Sequence, residues 1–200
     1  MTSFKILVEG YAHEGKDDSE YFASPTTTLI ESNGKKILVD PGADAAKLEK
    51  ALVDNSVDKS DIDLIYLTHW HGDHVLNIRL FPDVDIYDSE VLWRSNGEEQ
   101  FPGGKIIPGT EILILKTPGH TMDHTSLLID TTSHGMVCIA QDVFWWEDGK
   151  QKSDSIEDLM NLEDPFVADK EALAKSRRNV LDLASWIIPG HGKMFKNPGV

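Results

Sequence analysis

The chain has 200 residues, of which 40% are hydrophobic, and this length and composition predict one globular domain spanning residues 1–200. Its net charge of -15, with Lys and Arg dispersed along the chain, disfavours nucleic acid and anionic membranes as partners, although a metal cluster in an acidic protein can still create a local positive potential. Cys138 is the single cysteine, which excludes an intrachain disulfide, and the lack of a signal-peptide pattern or a long apolar run predicts a cytoplasmic protein with no membrane partner.

Runs of strand-forming residues come first in chain order. They lie at 4–10, 26–32 and 35–40. Asn33 and Gly34 separate the second run from the third, and both tolerate the positive φ that a tight hairpin requires, so we predict a hairpin there. A helical repeat of apolar residues follows at 44–55. The residues predicted near its buried face are Ala45, Leu48, Leu52 and Val53.

The rest of the chain alternates further strands with helices. The predicted strands are 63–68, 84–88, 111–117, 125–130, 136–142 and 186–190. The predicted helices are a short one at 75–81 and a longer one at 169–184. The polar stretch 145–155 is predicted to form a surface loop or lid. Because helices interrupt the strands repeatedly, the sequence favours a layered α/β sandwich over an all-β barrel.

The segment HWHGDH, which begins at His69, concentrates metal-binding side chains. His69 and His71 cannot share a helix face, but on extended backbone they point to the same side. Asp73 and His74 follow where the chain turns into the next helix, and Gly72 would permit a sharp turn. Imidazole and carboxylate together suit Zn, Mn or Fe, so the segment predicts a metal centre.

This segment, with the threonine before it, resembles the HxHxDH signature of the metallo-β-lactamase superfamily. Four further segments resemble the family's other motifs, in the family's order. They are LVDPG (38–42), TPGHT (117–121), AQDVF (140–144) and IPGHG (188–192). The resemblance implies an α/β fold, the four-layer αββα sandwich of two mixed sheets, with the site at one edge where loops from both sheets meet.

The resemblance also implies two metal sites, expected to hold two Zn²⁺, with Mn²⁺ or Fe as alternatives. The ligands it implies are His69, His71 and His120 for the first metal, Asp73, His74 and His191 for the second, and Asp142 for both. Asp40, at a strand end, would buttress the metal loop. Asp73 is also predicted to be catalytic, because its carboxylate could orient the attacking hydroxide and transfer its proton.

Other side chains near these motifs have simpler interpretations. His124 is predicted to support a ligand or to pack, rather than to bind metal. His13 lies in a loop at 11–21 that can approach the site, but we expect it to be solvated. Cys138 is predicted to be a small buried hydrophobic residue.

Three tryptophans lie close to the predicted ligands. Trp145 and Trp146 are adjacent, and neighbours on extended backbone face opposite ways, so at most one is expected to line the pocket. Trp70, between two ligands, is expected to point away from the metals and into packing.

We expect a glyoxalase II-like hydrolase in which a metal-bridging hydroxide attacks an ester, thioester or lactone carbonyl of a small-molecule substrate. Two alternatives stay open. One is a phosphodiesterase or ribonuclease, since THWHGDHVLNIRLFP resembles a compact branch of the superfamily that is linked to RNA cleavage. The other is a mono-iron enzyme of the persulfide dioxygenase type. Dimers are common in the family, so the resemblance allows a homodimer.

Overall fold

Strands dominate the part of the chain that the computed structural model describes, which comprises residues 2–17, 19–88, 90–100 and 104–200. The strands are β1 (Ser3–Val8), β2 (Tyr11–Glu14), β3 (Tyr21–Ser24), β4 (Thr27–Ser32), β5 (Lys35–Val39), β6 (Leu64–Tyr66), β7 (Ile86–Tyr87), β8 (Val91–Arg94), β9 (Gly97–Gln100), β10 (Leu113–Lys116), β11 (Thr125–Thr131), β12 (Gly135–Gln141), β13 (Trp186–Pro189) and β14 (Phe195–Lys196). The α-helices are α1 (Ala45–Asp54), α2 (Gly72–Val75), α3 (Ile156–Met160) and α4 (Lys170–Leu183). Short 3₁₀ helices lie at Lys59–Asp61 and Leu76–Leu80.

The strands form two large mixed sheets and one hairpin. The first sheet has the order β1-β4-β5-β6-β7-β8-β9, and the second has the order β10-β11-β12-β13-β14. Strands β2 and β3 pair with each other in a separate antiparallel hairpin. Parallel pairing occurs between β5 and β6, between β6 and β7, and between β12 and β13, while the other neighbours in these sheets are antiparallel.

Side-chain alternation along the strands separates two packing layers on each sheet. In β5, Ile37 joins the core between the two sheets, whereas Leu38 packs on the opposite face with the residues of α1. In β12, Val137 joins the same inter-sheet core, whereas the fully buried Cys138 faces the side of α4. The prediction that Cys138 is a buried hydrophobic residue is therefore confirmed.

The helices cover the outer faces of the two sheets. Helix α1 buries Leu48 and Leu52 against the first sheet, and α4 buries Leu173 and Val180 against the second. The layers therefore run from α1 through both sheets to α3 and α4. This arrangement confirms the predicted αββα sandwich.

Local sequence signals fix the helix ends and the first hairpin. Asp44 and Asp169 cap α1 and α4 by accepting hydrogen bonds from backbone N–H groups of the first turn, and both helices match their predicted spans to within one residue at each end. Asn33 and Gly34 have φ values of 51° and 78°, which confirms the predicted hairpin between β4 and β5. Among the described residues, no helix has the length and apolar character needed to cross a membrane.

Several local predictions were wrong. Val53 is 76% exposed, because the buried face of α1 is narrower than the apolar repeat suggested. The predicted helix at 75–81 begins earlier, at Gly72, and continues as a 3₁₀ helix from Leu76. Hairpin β2–β3 was missed within a stretch interpreted as a loop, because its many charged residues conceal any alternation. Strands β8, β9 and β14 and helix α3 were missed as well. The stretch 145–155, by contrast, forms neither helix nor strand, which agrees with the predicted loop.

Candidate metal centre

Most of the predicted ligands, and the supporting residue Asp40, follow the ends of parallel strands. Asp40 comes directly after β5, and His69 lies shortly after its parallel neighbour β6. Asp142 comes directly after β12, and His191 lies shortly after its parallel neighbour β13. Because parallel strands end at the same edge of their sheet, each sheet delivers its polar residues to one place, as in other α/β folds.

The HWHGDH segment changes conformation between its two pairs of ligands. His69 and His71 lie on non-helical backbone after β6, and His71 occupies the N-cap of α2 with φ -72° and ψ 145°. Asp73 and His74 lie in the first turn of α2. Gly72, which was expected to permit a sharp turn, does not use a positive φ, and the extended His71 leads straight into the helix.

The first donor group comprises His69, His71, His120 and Asp142, whose ligand atoms all lie within 4.8 Å of one another. His120 Nε2 lies 3.0 Å from His71 Nδ1 and 3.2 Å from Asp142 Oδ2. His69 Nε2 lies 3.8 Å from the same oxygen of Asp142. Donor atoms of tetrahedral zinc, each about 2.0–2.2 Å from the ion, lie roughly 3.3–3.6 Å apart, so this group could hold a cation of that size.

The second donor group comprises Asp73, His74 and His191, again within 4.8 Å. His191 Nε2 lies 3.3 Å from Asp73 Oδ2, and His74 Nε2 lies 3.8 Å from it. Asp142 also reaches this group, because its Oδ2 lies 3.4 Å from His74 Nε2 and its Oδ1 lies 3.8 Å from His191 Nε2. The structure thus brings all seven predicted ligands together, with Asp142 adjoining both groups.

Asp40 supports this centre through its contacts with Thr68 and His74. It is fully buried, and it accepts hydrogen bonds from the Thr68 backbone N–H at 2.9 Å and from the Thr68 hydroxyl at 2.6 Å. Its Oδ2 lies 2.8 Å from His74 Nδ1. These three contacts hold a non-glycine residue at φ 45°, where strain of about 1–3 kcal/mol persists only in a well-determined setting. The role that the resemblance implied for Asp40 therefore agrees with its contacts.

Two further histidines have orienting partners that were not predicted from the sequence. The buried Asp164 places Oδ2 2.7 Å from His120 Nδ1. The Tyr11 carbonyl accepts from His191 Nδ1 at 2.9 Å. Such partners leave Nε2 as the donor atom for a metal and fix the plane of the ring. Neither partner follows a recognised motif, so the sequence offered no signal for them.

The centre also contains buried polar atoms that the protein leaves without partners. Within the described part of the chain, His69 Nε2, His74 Nε2 and Asp142 Oδ1 are buried and have no hydrogen-bond partner. Each such atom costs about 1–3 kcal/mol when it is left unsatisfied. Cations would satisfy all three at once, so the residues present fit a pair of metal ions.

The charges of Asp142 and His69 suit metal binding as well. Burial raises the pKa of the Asp142 carboxyl, but attraction to His74 and His191 outweighs this effect and holds that pKa well below its ordinary value. Burial, reinforced by the nearby His74 and His124, holds the pKa of His69 well below its ordinary value. Asp142 is therefore an anion and His69 is neutral, which are the states that metal ligands require. Burial lowers the pKa of His74 and His120, but neighbouring carboxylates raise it by more, so a cation would have to displace a proton from each.

A cavity of about 760 Å³ opens directly over the two donor groups. The ligands that line its floor are His71, Asp73, His120, Asp142 and His191. The apolar and aromatic residues that line its walls are Tyr11, Ala12, Tyr21, Phe22, Ala23, Ala43, Leu76, Trp145 and Phe166. Its size is typical of small-molecule sites, and no Lys or Arg is found among the described residues that line it.

Comparison with known proteins identifies the family. The family model of the metallo-beta-lactamase superfamily matches residues 21–91. A Xenopus laevis protein named metallo-beta-lactamase domain-containing protein 1 is 37% identical over 203 aligned residues, which cover 97% of this chain and 81% of that protein. The chain belongs to the metallo-β-lactamase superfamily.

Two other members of the superfamily extend this comparison. Hydroxyacylglutathione hydrolase of Cronobacter sakazakii is 38% identical over 105 residues, covering 49% of this chain and 40% of that enzyme. A solved structure of a Thermotoga maritima protein assigned to the metallo-beta-lactamases superposes with a TM-score of 0.72 at 19% identity, covering 98% of this chain and 99% of its own. The metallo-β-lactamase fold therefore extends over nearly the whole described chain.

The paired tryptophans of this metallo-β-lactamase domain separate as predicted. Trp145 lines the cavity, and its ring centroid lies 5.9 Å from that of His191. Trp146 instead packs in the core beside α4, with its ring centroid 5.8 Å from that of Phe195. Trp70 does not line the cavity, which agrees with the prediction that it points away from the metals, but its packing is only partial: it is 44% exposed, contacts the Trp93 ring edge to face and donates a hydrogen bond to Asp88.

His13 and His124 do not belong to either donor group. His13 is exposed on β2 and stacks on Tyr11, with ring centroids 5.9 Å apart, and it does not line the cavity. His124 is buried beside His69, with ring centroids 4.9 Å apart, and its Nδ1 lies 2.9 Å from the Thr117 hydroxyl. His124 therefore packs against a ligand, which agrees with its predicted supporting role.

Proposed function

We propose that this protein is a two-metal hydrolase that cleaves an ester, thioester or lactone at its carbonyl carbon. One observation carries the proposal: two donor groups adjoin the same carboxylate, that of Asp142, at the floor of a cavity of small-molecule size. A centre with an open side suits catalysis, whereas structural zinc sites are closed on all sides.

The seven donors would divide between two cations. His69, His71 and His120 would hold one, Asp73, His74 and His191 would hold the other, and Asp142 would contact both. The mixture of imidazole and carboxylate suits Zn²⁺, with Mn²⁺ or Fe as alternatives. Such a pair of cations supplies a hydroxide nucleophile at neutral pH and polarises the substrate's carbonyl oxygen.

Asp73 is proposed as the catalytic residue. Its carboxylate lines the cavity, and His191 fixes it from one side at 3.3 Å. Burial raises the pKa of Asp73, but the hydrogen bond with His191 and the nearby His74 lower it by more, so the carboxyl has a pKa below its ordinary value. Asp73 is therefore ionised at neutral pH, where it can accept the proton of the attacking water and deliver it to the leaving group.

The cavity's charge favours a carbonyl substrate over a phosphodiester. A phosphodiester brings a negative charge, and sites that bind one usually offer Arg or Lys. The described lining residues include Asp44, Asp73 and Asp142 but no Lys or Arg. The hydroxyacylglutathione hydrolase of Cronobacter sakazakii, whose name describes hydrolysis of an acylated glutathione, supports carbonyl chemistry but not an uncharged substrate, because glutathione carries two carboxylates.

Metal analysis and a substrate panel test the proposal together. Protein of measured metal content is assayed with neutral esters and thioesters, lactones, S-acyl glutathione and bis-p-nitrophenyl phosphate. We expect about two metal ions per chain and hydrolysis of carbonyl substrates that a chelator abolishes and added Zn²⁺ restores. A single iron per chain would favour a persulfide dioxygenase-type enzyme, and activity on the phosphodiester alone would favour a nuclease. Either result overturns the proposal.

A further inference from the structure

The cavity over the metal centre has an apolar mouth. Twelve large hydrophobic side chains are exposed among the described residues, and four of them line this one cavity. The four are Tyr21, Phe22, Leu76 and Phe166, with exposed fractions from 45% for Tyr21 to 60% for Phe166. Apolar residues gathered at one opening mark a binding surface, whereas scattered ones need no explanation.

One wall runs without interruption from a metal ligand to the solvent. The ring centroid of Trp145 lies 5.9 Å from that of His191 and 5.8 Å from that of Phe166. Trp145 is 7% exposed and Phe166 is 60% exposed, so the wall leads from the buried floor to the mouth. An aliphatic chain lying along it would begin at the metal centre and cover apolar surface throughout its length.

The Asp164 carboxylate fixes the position of Phe166 relative to the metal centre. One oxygen of Asp164 accepts a hydrogen bond from the Phe166 backbone N–H at 2.9 Å, while the other lies 2.7 Å from His120 Nδ1. The same carboxylate therefore orients a donor of the first group and anchors the outer end of the wall. A wall fixed in this way loses little conformational freedom when it binds a ligand.

The remaining walls are also apolar. Hairpin β2–β3 contributes Tyr21 and Phe22, and Leu76 follows α2 at the end of the HWHGDH helix. The charged groups among the described lining residues are acidic or are proposed ligands, so no side chain of the walls pairs with an anionic substrate away from the proposed cations.

We infer that the substrate carries a medium-length aliphatic acyl chain without negative charge, and that this chain packs along Trp145 and Phe166. The inference rests on the proposed function, because it assumes that the substrate's carbonyl lies at the metal centre. Phe166 is then a specificity-determining residue.

Chain length is the variable to change. p-Nitrophenyl esters from acetyl to decanoyl are assayed with zinc-loaded protein. We expect kcat/KM to rise by up to about fourfold per added methylene until the chain passes Phe166. Phe166→Ala should lower the octanoyl-to-acetyl ratio of kcat/KM by about tenfold, mainly through KM, and Phe166→Leu should restore most of it. Leu183→Ala is the matched control. It removes an exposed hydrophobic side chain that does not line the cavity, so it should keep the wild-type ratio.

A binding measurement separates this inference from the proposed reaction. Methyl ketones from acetone to 2-decanone have a carbonyl but no bond to hydrolyse, and they are titrated into chelator-treated protein while tryptophan fluorescence is followed. We expect the Kd to fall as the chain lengthens, and to fall less steeply in Phe166→Ala than in Leu183→Ala. Ester hydrolysis without any dependence on chain length would overturn the inference and leave the proposed function standing. Ketone binding that tightens with chain length, without hydrolysis of any ester, would support the apolar subsite and overturn the proposed function.

Discussion

Asp164 Oδ2 lies 2.7 Å from His120 Nδ1, although 44 residues separate the two in sequence. Both side chains are almost completely buried, so little solvent competes for this contact. The contact leaves His120 Nε2 as the atom that faces the other donors. The loop between α3 and α4 thus takes part in forming the metal centre.

Asp164→Asn should therefore weaken zinc binding by about 10- to 100-fold, because the amide orients His120 less strongly than the carboxylate does. Competition with a chromophoric chelator measures the affinity. Glu163→Gln removes an adjacent, exposed carboxylate and is the matched control, which should bind zinc as the wild type does. Equal affinities in the two variants would remove Asp164 from the metal centre.

Asp73→Asn should lower kcat by about 10²- to 10⁴-fold on any carbonyl substrate, because the amide cannot accept the proton of the attacking water. Metal content is measured on the same sample, since Asp73 is also a proposed ligand. A variant that retains two metals and turns over at the wild-type rate would show that Asp73 has no catalytic role.

Gly190→Ala should remove metal from the centre, because a Cβ at Gly190 would lie 1.7 Å from Asp142 Oδ1 and the carboxylate would have to move. Gly72→Ala is the natural comparison within the HWHGDH segment. Nothing lies within 4 Å of a Cβ at Gly72, and its φ is not positive. We expect the Gly72 variant to keep its metal, measured by elemental analysis, and normal metal content in Gly190→Ala would contradict the geometry.

Arg177→Met should destabilise the fold by about 2–4 kcal/mol, because one buried and one partly buried carbonyl lose a charged donor. The guanidinium is 4% exposed and donates from Nε to the Val143 carbonyl at 3.0 Å and from Nη1 to the Leu162 carbonyl at 2.5 Å. Urea unfolding measures the loss. Arg178→Met changes the exposed neighbour on α4 and should shift stability by only about 0.5 kcal/mol or less. A similar shift in both variants would mean that the buried contacts contribute nothing.

Cys138 should not react with a thiol reagent until the protein unfolds. Burial raises the pKa of its thiol well above the ordinary value of 9.0, and the side chain is fully buried. Below pH 9.0 the thiol is protonated in both the folded and the unfolded chain, so its effect on the free energy of unfolding is constant. Above pH 9.0 only the unfolded chain ionises readily, so the free energy of unfolding falls by about 1.4 kcal/mol per pH unit. Reaction with Ellman's reagent at pH 8, with and without urea, checks the protection, and rapid labelling of the native protein would refute it.

The sequence predicted those elements whose signal is local. The continuous apolar runs of β5 and β12 and the aspartates that cap α1 and α4 depend on neighbouring residues alone, and these elements match their predicted ends closely. Strands β8 and β9 could not be found in this way, because they lie at a sheet edge where β9 is wholly exposed and carries no apolar pattern.

The difference between local and long-range signals also explains which parts of the metal centre were predicted. The seven proposed ligands stand in motifs that a resemblance identified from the sequence. Two of their supports, Asp164 and the Tyr11 carbonyl, stand outside any motif: the Tyr11 carbonyl that accepts from His191 is 180 residues away in sequence. Contacts of this kind exist only once both sheets have packed, so no local pattern encodes them.

The two donor groups draw on both sheets, and this division has a consequence for assembly. His69 and His71 follow a strand of the first sheet, whereas His120 and Asp142 come from connections of the second. Neither half of the chain alone offers either cation a full set of ligands. Bound metal would therefore link the two halves and stabilise their docked arrangement, because a full set of ligands exists only when they are docked.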